Sequence, residues 1–249
     1  MITNVIVIPS YNEESSLPVL LESLVKKLDA SDAVIVIDDS AQEVYLETKA
    51  RCQIIFETSE AQFLIVNNPQ KGGRGAAVLT GMKLAISTHQ NLKFLIESDA
   101  DGSHTAEDIL RIRKHSSESD LLIGSRYLRE SSIIGWPLSR RIFSKILNLM
   151  LPRLLQIPIK DITNGLRRYS KAALSHIVSH KQMTTGFIYL SEQALVINRN
   201  GLVIEEIPIS FVNRTIGQSS VTWREVVNAQ LGILKLLFRS VARNNFISK

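Results

Sequence analysis

Cysteine is almost missing from this sequence: Cys52 is the only one among 249 residues. That excludes an intramolecular disulfide framework and a cysteine-based zinc cluster, and makes a reducing compartment the expectation. Glycine and proline are also scarce, at twelve and seven, too few for a fibrous or linker-rich chain. No stretch approaches the ~18 uncharged apolar residues of a spanning helix. The opening MITNVIVIPSYNEE has neither a basic leader region nor a small-residue cleavage site, so no signal peptide is expected. What is present is a globular composition, 45% hydrophobic and 21% charged, enough apolar residue for a large core and too much for wholesale disorder. The net charge of +5 points to an anionic partner, without choosing between nucleic acid, phospholipid and phosphorylated small molecules.

Short β-branched runs alternate with amphipathic segments. Strands are expected at 4–9, 33–37, 63–66, 92–96 and 120–123, and helices at 15–28, about 41–56, 75–88 and 105–116, with Ser15 or Ser16 capping the first and Thr105 the last. Near-continuous apolar strands separated by helices imply a mostly parallel α/β sheet covered on both faces. In such sheets, ligands bind at the carboxyl ends of the strands. Further on, 138–157 alternates apolar and basic residues at helical spacing, with a kink expected at Pro152. Residues 161–169 read as a turn entering a strand, 171–180 and 187–199 as helices, 202–211 as a strand and 222–246 as a long basic amphipathic helix. With no internal repeat or low-complexity linker, one domain is expected over 1–220 and a helical extension over 221–249.

The polar motifs fall just after the expected strands. Asp99 and Asp101 stand at i, i+2, followed by Gly102, Ser103 and His104. Two such carboxylates can share a hard divalent cation that keeps waters and bridges phosphates, or they can belong to a turn that leads into a helix cap. An EF-hand is excluded, because His104 stands where its glycine belongs and Leu110 where its glutamate belongs. After the first strand, Pro9-Ser10-Tyr11-Asn12-Glu13-Glu14 offers a ring for a base and acceptors for a base edge or ribose, or simply a strand-to-helix turn. Asp38-Asp39 closes the second strand, and adjacent acids there are either solvated or put to use. Lys71-Gly72-Gly73-Arg74-Gly75-Ala76-Ala77 opens a helix but is neither a Walker loop nor a dinucleotide fingerprint. Tight helix packing and phosphate contact both suit it. Arg126, Arg129, Arg140, Arg141, Lys145 and Arg153 lie among Ile142, Phe143, Ile146, Leu147, Met150 and Leu154. Such a helix either faces a core or lies in a membrane interface. The 223–247 segment repeats the pattern with Trp223, Leu234 and Phe238 beside Arg224, Lys235, Arg239 and Arg243.

In order, PSYNEE, IDDS, KGGRGAA, DADGSH, GSRY, RR with its following serine, DITNGLRRY, TGFIYLSEQA, EEIPISF and NRTIGQSS resemble family 2 glycosyltransferases of the polyprenyl- or dolichyl-phosphate sugar transferase kind, over roughly residues 4–220. That resemblance implies a GT-A fold, Rossmann-like, with a nucleotide-sugar donor such as GDP-mannose or UDP-glucose. It implies that Pro9, Tyr11, Glu13, Asp38 and Asp39, with Asp99, Ala100 and Asp101, line the nucleotide-sugar site. It further implies that Asp99, Asp101 and Ser103 hold Mg²⁺ or Mn²⁺, and that Arg126, Arg140, Arg214 and Ser220 meet the acceptor phosphate. Asp101, Arg126 and Arg140 would then carry catalysis. Ser220 stands where the family often has lysine, and IDDSAQE lacks the usual glycine-and-serine turn. The expected enzyme is a metal-dependent inverting hexosyltransferase, peripheral on the cytoplasmic face of a membrane, with a polyprenyl-phosphate acceptor and no nucleic-acid partner. Its nearest rival uses a glycan or other hydroxyl acceptor, with Asp161 as general base. A nucleotidyltransferase is disfavoured because PSYNEE occupies the place of its glycine-rich loop. A catalytically inactive membrane-binding adaptor is the rival of a different class.

Overall fold

The computed structural model describes residues 1–68, 72–184 and 188–213. Arg214, Ser220 and the expected helix at 222–246 lie outside the described residues. The chain runs β1 (Asn4–Ser10), α1 (Ser16–Val25), β2 (Asp32–Asp38), α2 (Gln42–Phe56), β3 (Gln62–Asn67), α3 (Arg74–Thr88), β4 (Phe94–Glu97), α4 (Ala106–Lys114) and β5 (Leu121–Ser125). It continues with β6 (Ser132–Ile134), α5 (Leu138–Leu155), β7 (Arg167–Ser170), α6 (Lys171–Ser179), α7 (Tyr189–Arg199), β8 (Ile204–Pro208) and β9 (Ser210–Val212).

Seven strands form one sheet in the order β3-β2-β1-β4-β7-β5-β8. All run parallel except β7, which is antiparallel to both β4 and β5. Because side chains alternate across a strand, β1 sends Val5 and Val7 into one core and Ile6 and Ile8 into the other. β2 divides in the same way, Ile35 and Ile37 against Val34 and Val36. Helices α3, α6 and α7 cover the first face, and α1, α2 and α4 the second. This explains why the strands read as unbroken apolar runs. At Gly81 of α3 the helix lies so close to β1 that a Cβ would overlap Val7 Cγ1.

Side-chain caps open α4 and α6 among the described helices. Thr105 caps α4 by accepting from the Asp108 amide at 3.1 Å. Ser15 occupies the cap position of α1 but makes no side-chain cap bond; Ser16 donates to Glu13 instead. The expected strand at 202–211 is divided between β8 of the main sheet and β9, which pairs with β6 in a separate two-stranded ribbon. Pro152 lies inside α5 near its end, and Gln156 closes that helix in the left-handed region at φ 56°.

Candidate active site

Four strands end side by side at the carboxyl edge, and the loops beyond them hold most of the residues singled out from the sequence. Asp38, at the tip of β2, is fully buried and accepts from Ser10 Oγ and the Ser40 amide, both at 2.8 Å. Ser40 Oγ accepts from the Asn12 amide at 2.8 Å, and Asn12 sits at φ 55°, a region asparagine tolerates. Asn68 Nδ2 donates to Asp39 Oδ1 at 2.9 Å. The two acids are therefore put to use rather than solvated. Asp38 knits the loops after β1 and β2 together, Asp39 is braced beside it, and Tyr11 stands 45% exposed on the loop that they shape. Pro9 lies within β1, and Glu13 accepts from Ser16 at the foot of α1.

The Asp99-Ala100-Asp101 turn follows β4 directly. Ala100 is buried, and Asp101 Oδ1 accepts from the Ser103 amide at 3.0 Å. Asp99 is held from two sides. Arg74 Nε donates to Asp99 Oδ1 at 2.7 Å, and its guanidinium also reaches Glu97 Oε1 at 2.7 Å. On the other side, the Asp99 amide donates to His104 Nδ1 at 3.2 Å. That makes Nδ1 the acceptor, so Nε2 carries the proton and donates to Asn164 Oδ1 at 3.0 Å. Glu97 is fully buried, and Tyr169 and Tyr189 both donate to it. Burial pushes its carboxyl up, and the neighbouring Arg74 and Arg167 only partly offset that.

Arg126 follows β5. It is almost wholly buried and forms a fork with Asp161, Nε to Oδ2 and the terminal nitrogen to Oδ1, both at 2.8 Å. Its amide adds a third bond to Asp161 at 2.9 Å, and Thr163 Oγ1 accepts at 2.8 Å. The guanidinium also lies 5.3 Å from the Trp136 ring centroid and 5.4 Å from that of Phe211. Burial pushes the Asp161 carboxyl up, but the ion pair and hydrogen bonds from Arg126 outweigh it and hold the carboxyl below the usual range. Arg140 is exposed on the first turn of α5, stacked 4.1 Å over Trp136, and donates to Asn213 Oδ1 at 3.2 Å. The structure thus brings Arg126 and Arg140 against one indole, that of Trp136.

Helix α5 settles which of its faces packs. Asn148, Leu151 and Leu155 are buried, with Asn148 Nδ2 donating to Thr163 Oγ1 and its Oδ1 accepting from the Ile162 amide. Leu138, Ile142, Phe143, Ile146, Leu149, Met150 and Leu154 are 48–72% exposed. Arg140, Arg141, Lys145 and Arg153 are exposed on the same helix. A continuous apolar row of this kind is more than a soluble surface scatters at random.

For a divalent metal, the donor set is oxygen throughout: Asp99, Asp101 and the Ser103 hydroxyl. That hydroxyl is buried with no hydrogen-bond partner among the described residues, an orphan that a ligand would satisfy. No cluster of three or more histidine, cysteine, aspartate or glutamate side chains suited to a metal occurs among the described residues. The residues therefore fit a magnesium-like ion that shares its shell with water and phosphate, not a closed protein cage.

Arg74, Glu97, Tyr189 and Asn164 are the residues that motif reading passed over. Arg74 lies inside KGGRGAA, where the glycines carry the motif's local signal. Glu97, an acid ending an apolar strand, carried the same signal as Asp38.

A profile described as Glycosyl transferase family 2 matches residues 5–178. Polyprenol monophosphomannose synthase of Mycolicibacterium smegmatis is 29% identical over 229 residues, covering 92% of this chain and 84% of that protein. Undecaprenyl-phosphate mannosyltransferase of Micrococcus luteus is 29% identical over 232 residues, 92% of this chain and 91% of that protein. Among solved structures, glucosyl-3-phosphoglycerate synthase from Mycobacterium tuberculosis, in complex with Mn²⁺, UDP and glucosyl-3-phosphoglycerate, superposes with a TM-score of 0.64 at 16% identity, covering 96% of this chain and 79% of that one. The architecture is a GT-A-like α/β fold.

Proposed function

The chain belongs to glycosyl transferase family 2, and on that premise we propose that it moves a hexose from a nucleoside diphosphate sugar onto the phosphate of a polyprenyl phosphate, inverting the anomeric carbon. The observation that carries this reading is the exposed apolar row of α5, studded with arginine and lysine and adjoining Arg140 at the same edge as the acidic loops. Such a row suits an enzyme that must reach a lipid-embedded acceptor. Mannose is the sugar we favour, supported by the names of the two relatives at 29% identity.

Tyr11 offers its exposed ring to the base, and Glu13 and Asp39 offer acceptors to base edge or ribose. Asp99, Asp101 and Ser103 would hold Mg²⁺ or Mn²⁺, which when bound neutralises charge on the leaving diphosphate. A phosphate monoester is already ionised near neutral pH, so its oxygen attacks without a strong general base. Arg140, with Arg214 and Ser220 from outside the described residues, would receive that phosphate. Arg126 acts behind it, its guanidinium committed to Asp161 and the aromatic wall. The rival with a hydroxyl acceptor needs Asp161 as base. Its carboxylate is fully buried, paired with Arg126 and held in its ionised, weakly basic form. That observation counts against it.

No helix among the described residues is long and apolar enough to cross a membrane, consistent with peripheral attachment through α5. The test is a donor panel including GDP-mannose and UDP-glucose, with polyprenyl phosphate in vesicles and Mg²⁺ or Mn²⁺. A lipid-linked hexose supports the proposal. Turnover only with a soluble hydroxyl acceptor, or no nucleotide-sugar binding at all, overturns it.

A further inference from the structure

Beside the carboxylates lies a cation that the mechanism above does not use. Arg74 is the first residue of α3, yet its side chain runs inward and is only 17% exposed. Its position is carved out by neighbouring glycines. A Cβ at Gly165 would overlap the Arg74 guanidinium, and one at Gly75 would stand 3.0 Å from the Tyr189 ring. Gly73, at φ 77°, turns the chain into the helix where a bulkier residue would be strained. The guanidinium touches Glu97 Oε1 at 2.7 Å and Asp99 Oδ1 at 2.6 Å, and Tyr189 OH completes the cluster. One guanidinium therefore bridges two carboxylates, one fully buried and one at the edge of the proposed donor site.

The charge arithmetic has a functional consequence. Arg74 brings one positive charge to Glu97, Asp99 and Asp101, while Arg167 further offsets the buried Glu97. Without the Arg74 charge, a bare divalent cation binds more tightly and the diphosphate is repelled. With it, the cation binds weakly by itself and the diphosphate meets less repulsion.

We infer that Arg74 is a positioning residue acting through Asp99, whose charge makes a divalent cation and a nucleoside diphosphate bind at Asp99 and Asp101 together rather than singly. This deepens the donor-site reading and rests on it.

The experiment measures binding, not turnover. Mn²⁺ alone is titrated by its EPR signal, and GDP and UDP are titrated by calorimetry with Mn²⁺ present, on the full chain. Arg74→Gln is expected to bind Mn²⁺ alone about tenfold more tightly and the nucleoside diphosphate about tenfold more weakly, as befits one unit charge beside the ligand at near-aqueous screening. Arg74→Lys keeps the charge and stays near wild type. Arg74→Gln/Glu97→Gln removes one charge of each sign, which spares the fold a lone buried charge, and is expected to bring both affinities back toward wild type. A merely structural role predicts instead that Arg74→Gln weakens both affinities together. Variant affinities unchanged from wild type, both weakened together, or no recovery in the double variant each overturn the inference. Wild-type protein that binds neither Mn²⁺ nor a nucleoside diphosphate overturns the donor-site reading and this inference with it.

Discussion

Asp161→Asn separates two roles that the same residue could hold. In the structure, its carboxylate accepts three hydrogen bonds from Arg126, two at 2.8 Å and one at 2.9 Å, with no exposure to solvent. Asparagine keeps the shape but turns an amide group toward those donors and leaves the buried guanidinium without a counter-charge. Breaking a buried pair by neutralising one partner costs about 3–5 kcal/mol, and asparagine's remaining acceptor places this variant near the lower end. For a chain of this size, each kcal/mol moves Tm by about 2–4 °C, so a drop of about 6–12 °C is expected by scanning calorimetry. The pH dependence adds a second signature. The folded pKa of Asp161 lies below its unfolded value near 3.9, so the unfolded chain binds more protons as pH falls. The wild-type contribution is therefore complete above the unfolded pKa and fades as pH drops through the folded one. The gap in stability between wild type and variant should be full at pH 7 and shrink below about pH 4. A variant that keeps the wild-type Tm at pH 7 while losing turnover would refute this reasoning and restore Asp161 as a base.

Three further outcomes are expected. Asp101→Ala should lower kcat by about 100-fold or more while leaving Tm within a few degrees, because Asp101 is on a surface turn; unchanged turnover removes the carboxylate from the mechanism. Ile142→Glu/Phe143→Glu on the exposed row of α5 should cut vesicle binding, measured by co-sedimentation, by about tenfold or more, at roughly 1.5–3 kcal/mol per buried side chain. Nucleoside diphosphate affinity should be untouched, and a vesicle-binding constant equal to wild type would argue against α5 as the attachment face. Gly81→Ala should destabilise by about 1–3 kcal/mol, read by urea unfolding, because the added Cβ overlaps Val7; a neutral effect would show that α3 shifts away from β1 freely.

Much of the architecture was legible because burial on both faces leaves an unmistakable trace. The runs NVIVIP, AVIVI and LKFLI became β1, β2 and β4 with ends displaced by a residue or two. Where the trace was short or split, reading failed. SII is a three-residue strand recognisable only through its partner β9, and EEIPISF crosses from one sheet to another within a few residues. At the site, motif spacing found Asp38, Asp39, Asp99 and Asp101 but not their partners, because hydrogen bonds such as Asn68 to Asp39 or Arg74 to Asp99 join residues 25 or more positions apart.

The sequence by itself determined the layered α/β plan, the family resemblance and the acidic turns at the strand ends, since these depend on local periodicity and contiguous motifs. Only the tertiary structure decided which face of α5 stays outside, that Arg126 is spent on Asp161, and that Arg74 reaches Asp99. Each of those outcomes turns on which distant side chains come within about 3 Å and on how far water is excluded there, and neither is written in the order of residues along the chain.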